Sequence, residues 1–369
     1  MNSPPPPTRP LTLGLFEKRI EGDDCLMRLA QLRFQQAGMG AEMHAATPEQ
    51  LDWTMQFRPS ADAPVVVHLP RKFNLTDGGN RGQIENFARR SAGRVHGFVI
   101  HDHPDLARRS GDYVQAAQEM NSRLKQIENC PWLFVEYAAG VELAAFVAFF
   151  EAIRALERIS VCVDIGHVGI HQTRQAYFQI HPGADVCALK SQPARLAQAM
   201  PDIEKAVAAA LPAVLGLVEQ LGKFGKPAHF HLHDGHPLST SSPFGVSDHL
   251  SFLAAIPLSF EYRGRRRTDL MFGPNGLSEI IAGAIRAFSR EHVSFTLEIH
   301  PTGDRLPLGD AARRFNHWRD KTNAEKMNAW LGMLAENHRL LREAISAAPA
   351  NHTAFGLKLH DSPTRCSQL

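Results

Sequence analysis

The chain has 369 residues, 44% hydrophobic and 21% charged, and its 40 Lys and Arg against 38 Asp and Glu leave a formal net charge of +2. This composition excludes a disordered chain, a collagen-like fibre and a small disulfide scaffold, and the charge balance removes nucleic-acid binding as the default. The length suits either two or three domains of roughly 150 residues or one large α/β barrel, a class that runs from about 200 to over 400 residues.

The first ten residues, MNSPPPPTRP, are proline-rich and polar, and read as an extended tail without the apolar stretch of a signal peptide. Eight apolar runs of strand length follow: Leu11–Phe16, Ala41–Ala45, Pro64–Leu69, His96–His101, Trp132–Tyr137, Ile159–Gly166, Ala228–Asp234 and Val293–His300. They are rich in Val, Ile and Phe without polar alternation, as parallel strands buried on both faces require. Helical stretches are predicted between them at Asp23–Ala37, Pro48–Phe57, Gln83–Ala92, Asp105–Glu128, Glu142–Ile153, Pro201–Leu221 and Leu277–Phe288, with a last helix over Thr322–Ser346. Eight strands alternating with helices predict a (β/α)8 TIM barrel over residues 11–349. Long insertions are expected after strands six and seven, at about 168–226 and 235–292, and a C-terminal tail at 350–369. A doubly wound sheet is the competing fold, but no G-x-G-x-x-G follows the first strand.

The most apolar helical stretch, Val141–Ile153, carries Glu142 and Glu151 and is too short to cross a bilayer, so no membrane association is expected. The five cysteines (Cys25, Cys130, Cys162, Cys187 and Cys366) are widely spaced with no C-x-x-C pair, and read as reduced thiols in a cytoplasmic protein.

Histidine stands out, with 19 residues. Each of the last six strands ends in a potential metal ligand: His68, His101, Glu136, Asp164, His231 and Glu298. A charged or imidazole group at a buried strand end costs several kcal/mol unless it is paired or bound to metal. One such residue is ordinary; six at the C-terminal rim of one barrel converge on one volume. Histidine with carboxylates and no cysteine suits zinc, manganese or iron, and six ligands exceed what one ion needs, so two divalent ions are expected.

These residues resemble the xylose-isomerase-like TIM barrels and, within them, the endonuclease IV branch. The resemblance runs from Leu11 to Pro301. It rests on HLPRKFNL (His68, Asn74), VIHDHP (His101), VEYAAG (Glu136), VDIGHVG (Asp164, His167), HFHLHD (His231, Asp234) and LEIHP (Glu298). It implies one metal on His68, His101 and Glu136, and a second on Glu136, Asp164, His231 and Glu298. The second set alone is similar to the single-metal site of sugar isomerases and epimerases, in which Glu136 and Glu298 would be the acid and base and His167 would hold a sugar oxygen. His229, His231 and His233 alternate onto one side of their strand; the match selects His231 as ligand. Substrate contacts are expected from Asn74, Arg71, His233 and His249.

The sequence departs from the DNA-repair pattern in three places. Ser247 stands at the aspartate position of the third-metal pair before His249, so that ligand set is incomplete and a third ion is doubtful. Arg71 replaces a tyrosine used against DNA. The loops after strands six and seven are long enough to crowd a duplex, and specific DNA binding is not expected.

The leading expectation is a divalent-metal enzyme acting on a small sugar-like, polyol or phosphorylated metabolite by metal-hydroxide hydrolysis. A sugar isomerase or epimerase, an AP endonuclease-type repair enzyme and an inactive binding barrel are the alternatives, in that order. The run Arg263, Arg265, Arg266 and Arg267 in the seventh loop is either solvated or an anion clamp.

Overall fold

The computed structural model describes residues 10–15, 24–58, 60, 62–239, 241–242, 245–246, 249–253, 260–262, 265–267, 271–299 and 324–349. Both predicted tails beyond residue 10 and residue 349, and Ser247, lie outside them. Eight parallel strands close a barrel in which each pairs with its neighbours in sequence: β1 (Leu11–Leu15), β2 (Gly40–His44), β3 (Val65–His68), β4 (Gly97–His101), β5 (Trp132–Glu136), β6 (Ile159–Asp164), β7 (Ala228–Leu232) and β12 (Val293–Leu297), the last returning to β1. This is the (β/α)8 barrel expected, with each strand inside or within one residue of its predicted run. Two short antiparallel ribbons, β8–β9 (Ser241–Ser242 with Gly245–Val246) and β10–β11 (Phe260–Tyr262 with Arg265–Arg267), lie between β7 and β12.

Helices α1 (Asp24–Ala37), α2 (Pro48–Met55), α3 (Gly78–Ser91), α4 (Ser110–Leu124) and α5 (Leu143–Ala152) follow the first five strands. Their starts are written in the sequence: Thr47 caps α2 by accepting from Gln50 N at 3.2 Å with Pro48 next in line, and Asp77 caps α3 by accepting from Asn80 N at 2.7 Å. The connection after β6 departs from expectation. The sequence carries the strand to Gly166 and predicts a helix only from Pro201, whereas α6 (Ile165–Ile180) starts directly after Asp164, followed by α7 (Pro193–Val207) and α8 (Ala210–Gly222). The cause is Asp164, whose carboxylate accepts from His167 N at 2.8 Å and caps the helix, so the apolar run Ile165–Ile170 is helical rather than extended. Helices α9 (Gly273–Phe288) and α10 (Ala324–Ala347) complete the outer ring.

Ala194–Gly222 taken as one run is long and apolar enough to cross a membrane. In the fold it is two helices, and Val214, Leu217, Val218 and Leu221 of α8 are buried in the main core. A satellite core of Tyr177, Val186, Leu189, Met200, Ile203, Leu238 and Leu250 holds the insertion around α6 and α7 to the stretch following β7. Inside the barrel, Leu13, Val66, Val99, Phe134 and Cys162 form a small apolar cluster. On β3 to β6 these lie two residues before His68, His101, Glu136 and Asp164, one layer beneath the rim.

Candidate metal centre

The period of two along each strand and the closed register bring the rim residues together. His101 is level with Glu136, and Asp164 with His231. His68 Nε2 lies 3.2 Å from Glu136 Oε2 and 3.3 Å from His101 Nε2, and His101 Nε2 is 3.5 Å from the same glutamate oxygen. Donors about 2.1 Å from a common tetrahedral ion stand roughly 3.4 Å apart, so this triangle is the size of a metal site. His68 donates Nδ1–H to the Leu69 carbonyl at 3.0 Å, which turns its Nε2 lone pair inward.

A second set shares Glu136. His231 Nδ1 lies 2.9 Å from Glu298 Oε2, 3.6 Å from Glu136 Oε2 and 3.9 Å from Asp164 Oδ2. All four residues are buried, and Asp164 Oδ2 and His231 Nδ1 have no hydrogen bond. Buried donors left without hydrogen bonds, at these separations, fit a divalent cation. Burial alone would raise the Glu136 carboxyl, but His101, His231 and His68 around it hold it well below the usual carboxylate range. Burial keeps His101 neutral, with its pKa pushed down to about 3. Glu136 and His101 are thus in the ligand forms a metal needs, whereas the carboxylates beside His68 and His231 raise those two imidazoles, and binding an ion there would release their protons.

A third cluster lies beside these. Asp164, His167, His233 and His249 bring one potential ligand atom each within 4.8 Å of one another. His233 donates Nδ1–H to the Asp234 carbonyl at 2.9 Å and presents Nε2 to Asp164 Oδ1, also at 2.9 Å. His167 Nδ1 is 3.4 Å from Asp164 Oδ2, and His249 Nε2 is 3.4 Å from Glu298 Oε1. Gly166 makes room for this arrangement, since a Cβ there would meet the His233 ring at 1.9 Å. The set is built without the Ser247 position: His233 supplies the donor.

His68, His101, Glu136, Asp164, His167, His231, His233, His249 and Glu298 are therefore gathered at one end of the barrel. Asn74 and Arg71 are not part of that cluster. Asn74 accepts from Thr76 N and Oγ1 at 2.9 and 3.0 Å and donates to Tyr113 OH at 3.0 Å, so its side chain ties the loop after β3 together. Arg71 is exposed on the same loop. His236 accepts from Leu238 N at 3.1 Å and shapes the turn after β7. Of the arginine run, Arg265–Arg267 form β11 and Arg263 lies outside the described residues.

Three buried acids escaped the sequence reading as parts of this centre. Asp102 accepts from Ala138 N and Ala139 N at 2.8 and 2.6 Å and fixes the loop after β5; burial pushes its pKa up to about 7. Asp234, known only as part of a motif, accepts from Gly235, Met271, Phe272 and Gly273 N at 2.6–3.3 Å. Glu42, in mid-β2, lies 3.0 Å from the Nε2 atoms of both His229 and His231 and accepts from Thr296 Oγ1 at 2.6 Å. The one signal for Glu42 was a lone acid inside an apolar run. Beside His167 opens a cavity of about 790 Å³, walled by Ala138, Gly140, Glu142, His171, Arg174 and Phe178, a size suited to a small molecule.

No protein-family profile matches the chain, and no curated protein matches its sequence. Solved structures give distant likenesses. The crystal structure of AsfvAP:AG aligns with a TM-score of 0.47 at 12% identity over 91% of this chain and 99% of that one. The carboxyl transferase domain of Rhizobium etli pyruvate carboxylase with oxamate and biotin gives 0.40 at 12% identity over 92% of this chain and 48% of that one. The complete multifunctional pyruvate carboxylase from the same organism gives 0.39 at 11% identity, over 92% and 28%. This chain thus spans about half or less of either carboxylase chain. Likeness at this level says nothing about activity; the barrel stands on its own strand pairing.

Proposed function

We propose that the chain is a divalent-metal-dependent hydrolase acting on a small sugar-like, polyol or phosphorylated metabolite. The observation that carries this reading is the position of Glu136 Oε2, within 3.2–3.6 Å of His68, His101 and His231 and hence common to two donor sets. Zinc, manganese or iron held there in pairs would activate water near neutral pH and stabilise the oxygens of a displacement. His68 and His101 have no task in a single-metal isomerase. A Glu136 shared between two sets is also poorly placed to shuttle a proton as the isomerase base. That His167 lines the cavity and lies beside Asp164 supports a role for it in orienting a substrate oxygen. The cavity supports a small substrate. The near-neutral charge is no match for the steep counterion-release term of duplex binding.

Elemental analysis of the purified protein, paired with a screen of phosphomonoesters and sugar derivatives, tests this. At least two divalent ions per chain and metal-dependent hydrolysis are expected. A single ion with aldose–ketose or epimer interconversion replaces this reading with the isomerase one. Incision of an abasic duplex at catalytic enzyme concentration, lost in Glu298→Gln, restores the repair reading. No ion under any loading condition leaves a binding barrel.

A further inference from the structure

We infer that Glu42 is a positioning residue of the metal centre: from one layer below the rim it accepts the Nε2–H of His231 and thereby leaves Nδ1 as the metal-binding nitrogen. The inference rests on the metal reading above and adds a residue that belongs to none of the rim sets proposed there.

The argument is a count of protons. Glu42 is fully buried on β2, level with Val66 of the apolar cluster. Three groups point hydrogens at its carboxylate. Thr296 Oγ1 is 2.6 Å from Oε2, His229 Nε2 is 3.0 Å from Oε2, and His231 Nε2 is 3.0 and 3.2 Å from the two oxygens. Ser294 Oγ closes the far side, 2.7 Å from His229 Nδ1. With His229 protonated on Nε2, its Nδ1 accepts from the Ser294 hydroxyl, and every polar atom of this layer has one compatible role. A buried carboxylate is tolerated only when compensated in this way.

One nitrogen remains open. With Nε2–H given to Glu42, His231 Nδ1 faces Glu298, Glu136 and Asp164, all of them acceptors. A neutral ring there would set lone pair against lone pair at 2.9 Å, so the position calls for a positive charge, a metal ion or, without one, the second ring proton that the surrounding carboxylates favour. A carboxylate behind a ligating imidazole also makes the ring a stronger donor, and its removal commonly costs 10- to 100-fold in metal affinity. Glu42 hydrogen-bonds His231, while its carboxylate lies within 4.8 Å of a His68 nitrogen without bonding it, so its main effect falls on the ion of the Glu136–Asp164–His231–Glu298 set.

The test is a titration of metal-free, full-length protein with cobalt(II), followed by visible absorption and chelator competition. In Glu42→Gln, one cobalt should bind about 10- to 100-fold more weakly with an altered ligand-field spectrum, and the other should be unchanged. His68→Ala should show the complementary pattern. Cobalt binding by Glu42→Gln that equals wild type in affinity and spectrum overturns the role of Glu42 while leaving the metal reading intact. Loss of both ions together makes Glu42 a shared ligand and overturns it too. Wild-type protein that takes up no cobalt overturns the metal reading and this one with it. Should Glu42→Gln not fold, nitrogen-15 histidine spectra of zinc-loaded wild type decide: His231, identified by its loss in His231→Gln, should carry its proton on Nε2, and a proton on Nδ1 refutes the assignment.

Discussion

Two adjacent layers of the barrel interior hold comparable chemistry in different states. The lower layer, Glu42, His229, Ser294 and Thr296, is buried and internally complete: its hydroxyls, imidazole and carboxylate are paired at 2.6–3.1 Å. The upper layer, the rim, is nearly as buried, yet Asp164 Oδ2 and His231 Nδ1 have no hydrogen bond, and Glu136 draws three imidazoles around one oxygen. Burial of polar side chains is common to both. What separates them is whether the donors and acceptors close among themselves. A closed set holds together without an ion, even where, as at Glu42, it supports the layer above; a set with convergent lone pairs left over fits a cation.

The largest effect should come from breaking the rim where its sets join. Glu136→Gln keeps the shape and removes the shared charge, so metal analysis should find both ions lost and turnover abolished. Retention of two ions would mean the sets do not share that oxygen. Next, His68→Ala should release one ion only and reduce turnover severely, measured by metal content per chain and single-turnover kinetics. Full activity with two ions would return His68 to the ordinary core. In the lower layer, Thr296→Val removes one donor from a buried carboxylate and should cost about 1–3 kcal/mol in denaturant unfolding of the metal-free protein, with the ion count unchanged. An ion lost at that site would erase the distinction between the layers.

The smallest effect probes a histidine that belongs to neither layer. His338 on α10 is 2% exposed, sits 2.9 Å from Thr12 Oγ1, and is held neutral by burial, with its pKa pushed down to about 4. The unfolded chain, with an ordinary value near 6.5, binds that proton first as pH falls. Stability should therefore decline from about pH 6.5 toward 4 and be recovered as pH rises. Urea unfolding of His338→Phe should show a shallower slope across that window. An unchanged slope would assign the acid sensitivity to other groups.

The layers also differ in how they could be read. Strand ends are marked in sequence, because a hydrophobic run stopping at His68, His101, Glu136 or Asp164 places that residue at the rim without further information. Periodicity alone put His229, His231 and His233 on one side of the seventh run, and the structure sets them apart: His229 in the lower layer, His231 at the rim, and His233, just past the end of β7, in the third cluster. Glu42 was not legible, because its partners come from strands 187 to 254 residues away and only closure of the barrel brings them together. Asn74 and Arg71 stand outside the packed histidines. Local hydrogen bonding ties Asn74 into the loop after β3, and Arg71 is exposed on the same loop with its charge acting on His101. The helix after β6 was missed because Asp164 carries two signals, strand end and helix cap, and only the first was read.

Asp234 has a consequence of another kind. Its carboxylate gathers the amides of Gly235, Met271, Phe272 and Gly273, and Met271 N also bonds Gly235 O at 3.2 Å, so the chain leaves and re-enters the barrel through one stitched gate. The first part of the stretch between is pinned as well, Leu250 by two backbone bonds to Asp234 and Phe252 by Asn337, so only the part after Leu253 is free to vary in length, where doubling a loop costs only about 0.6 kcal/mol. Descendants of this chain can thus lengthen or shorten that later part, while His249, which precedes it and lies 3.4 Å from Glu298, and the strand ligands beneath keep their places.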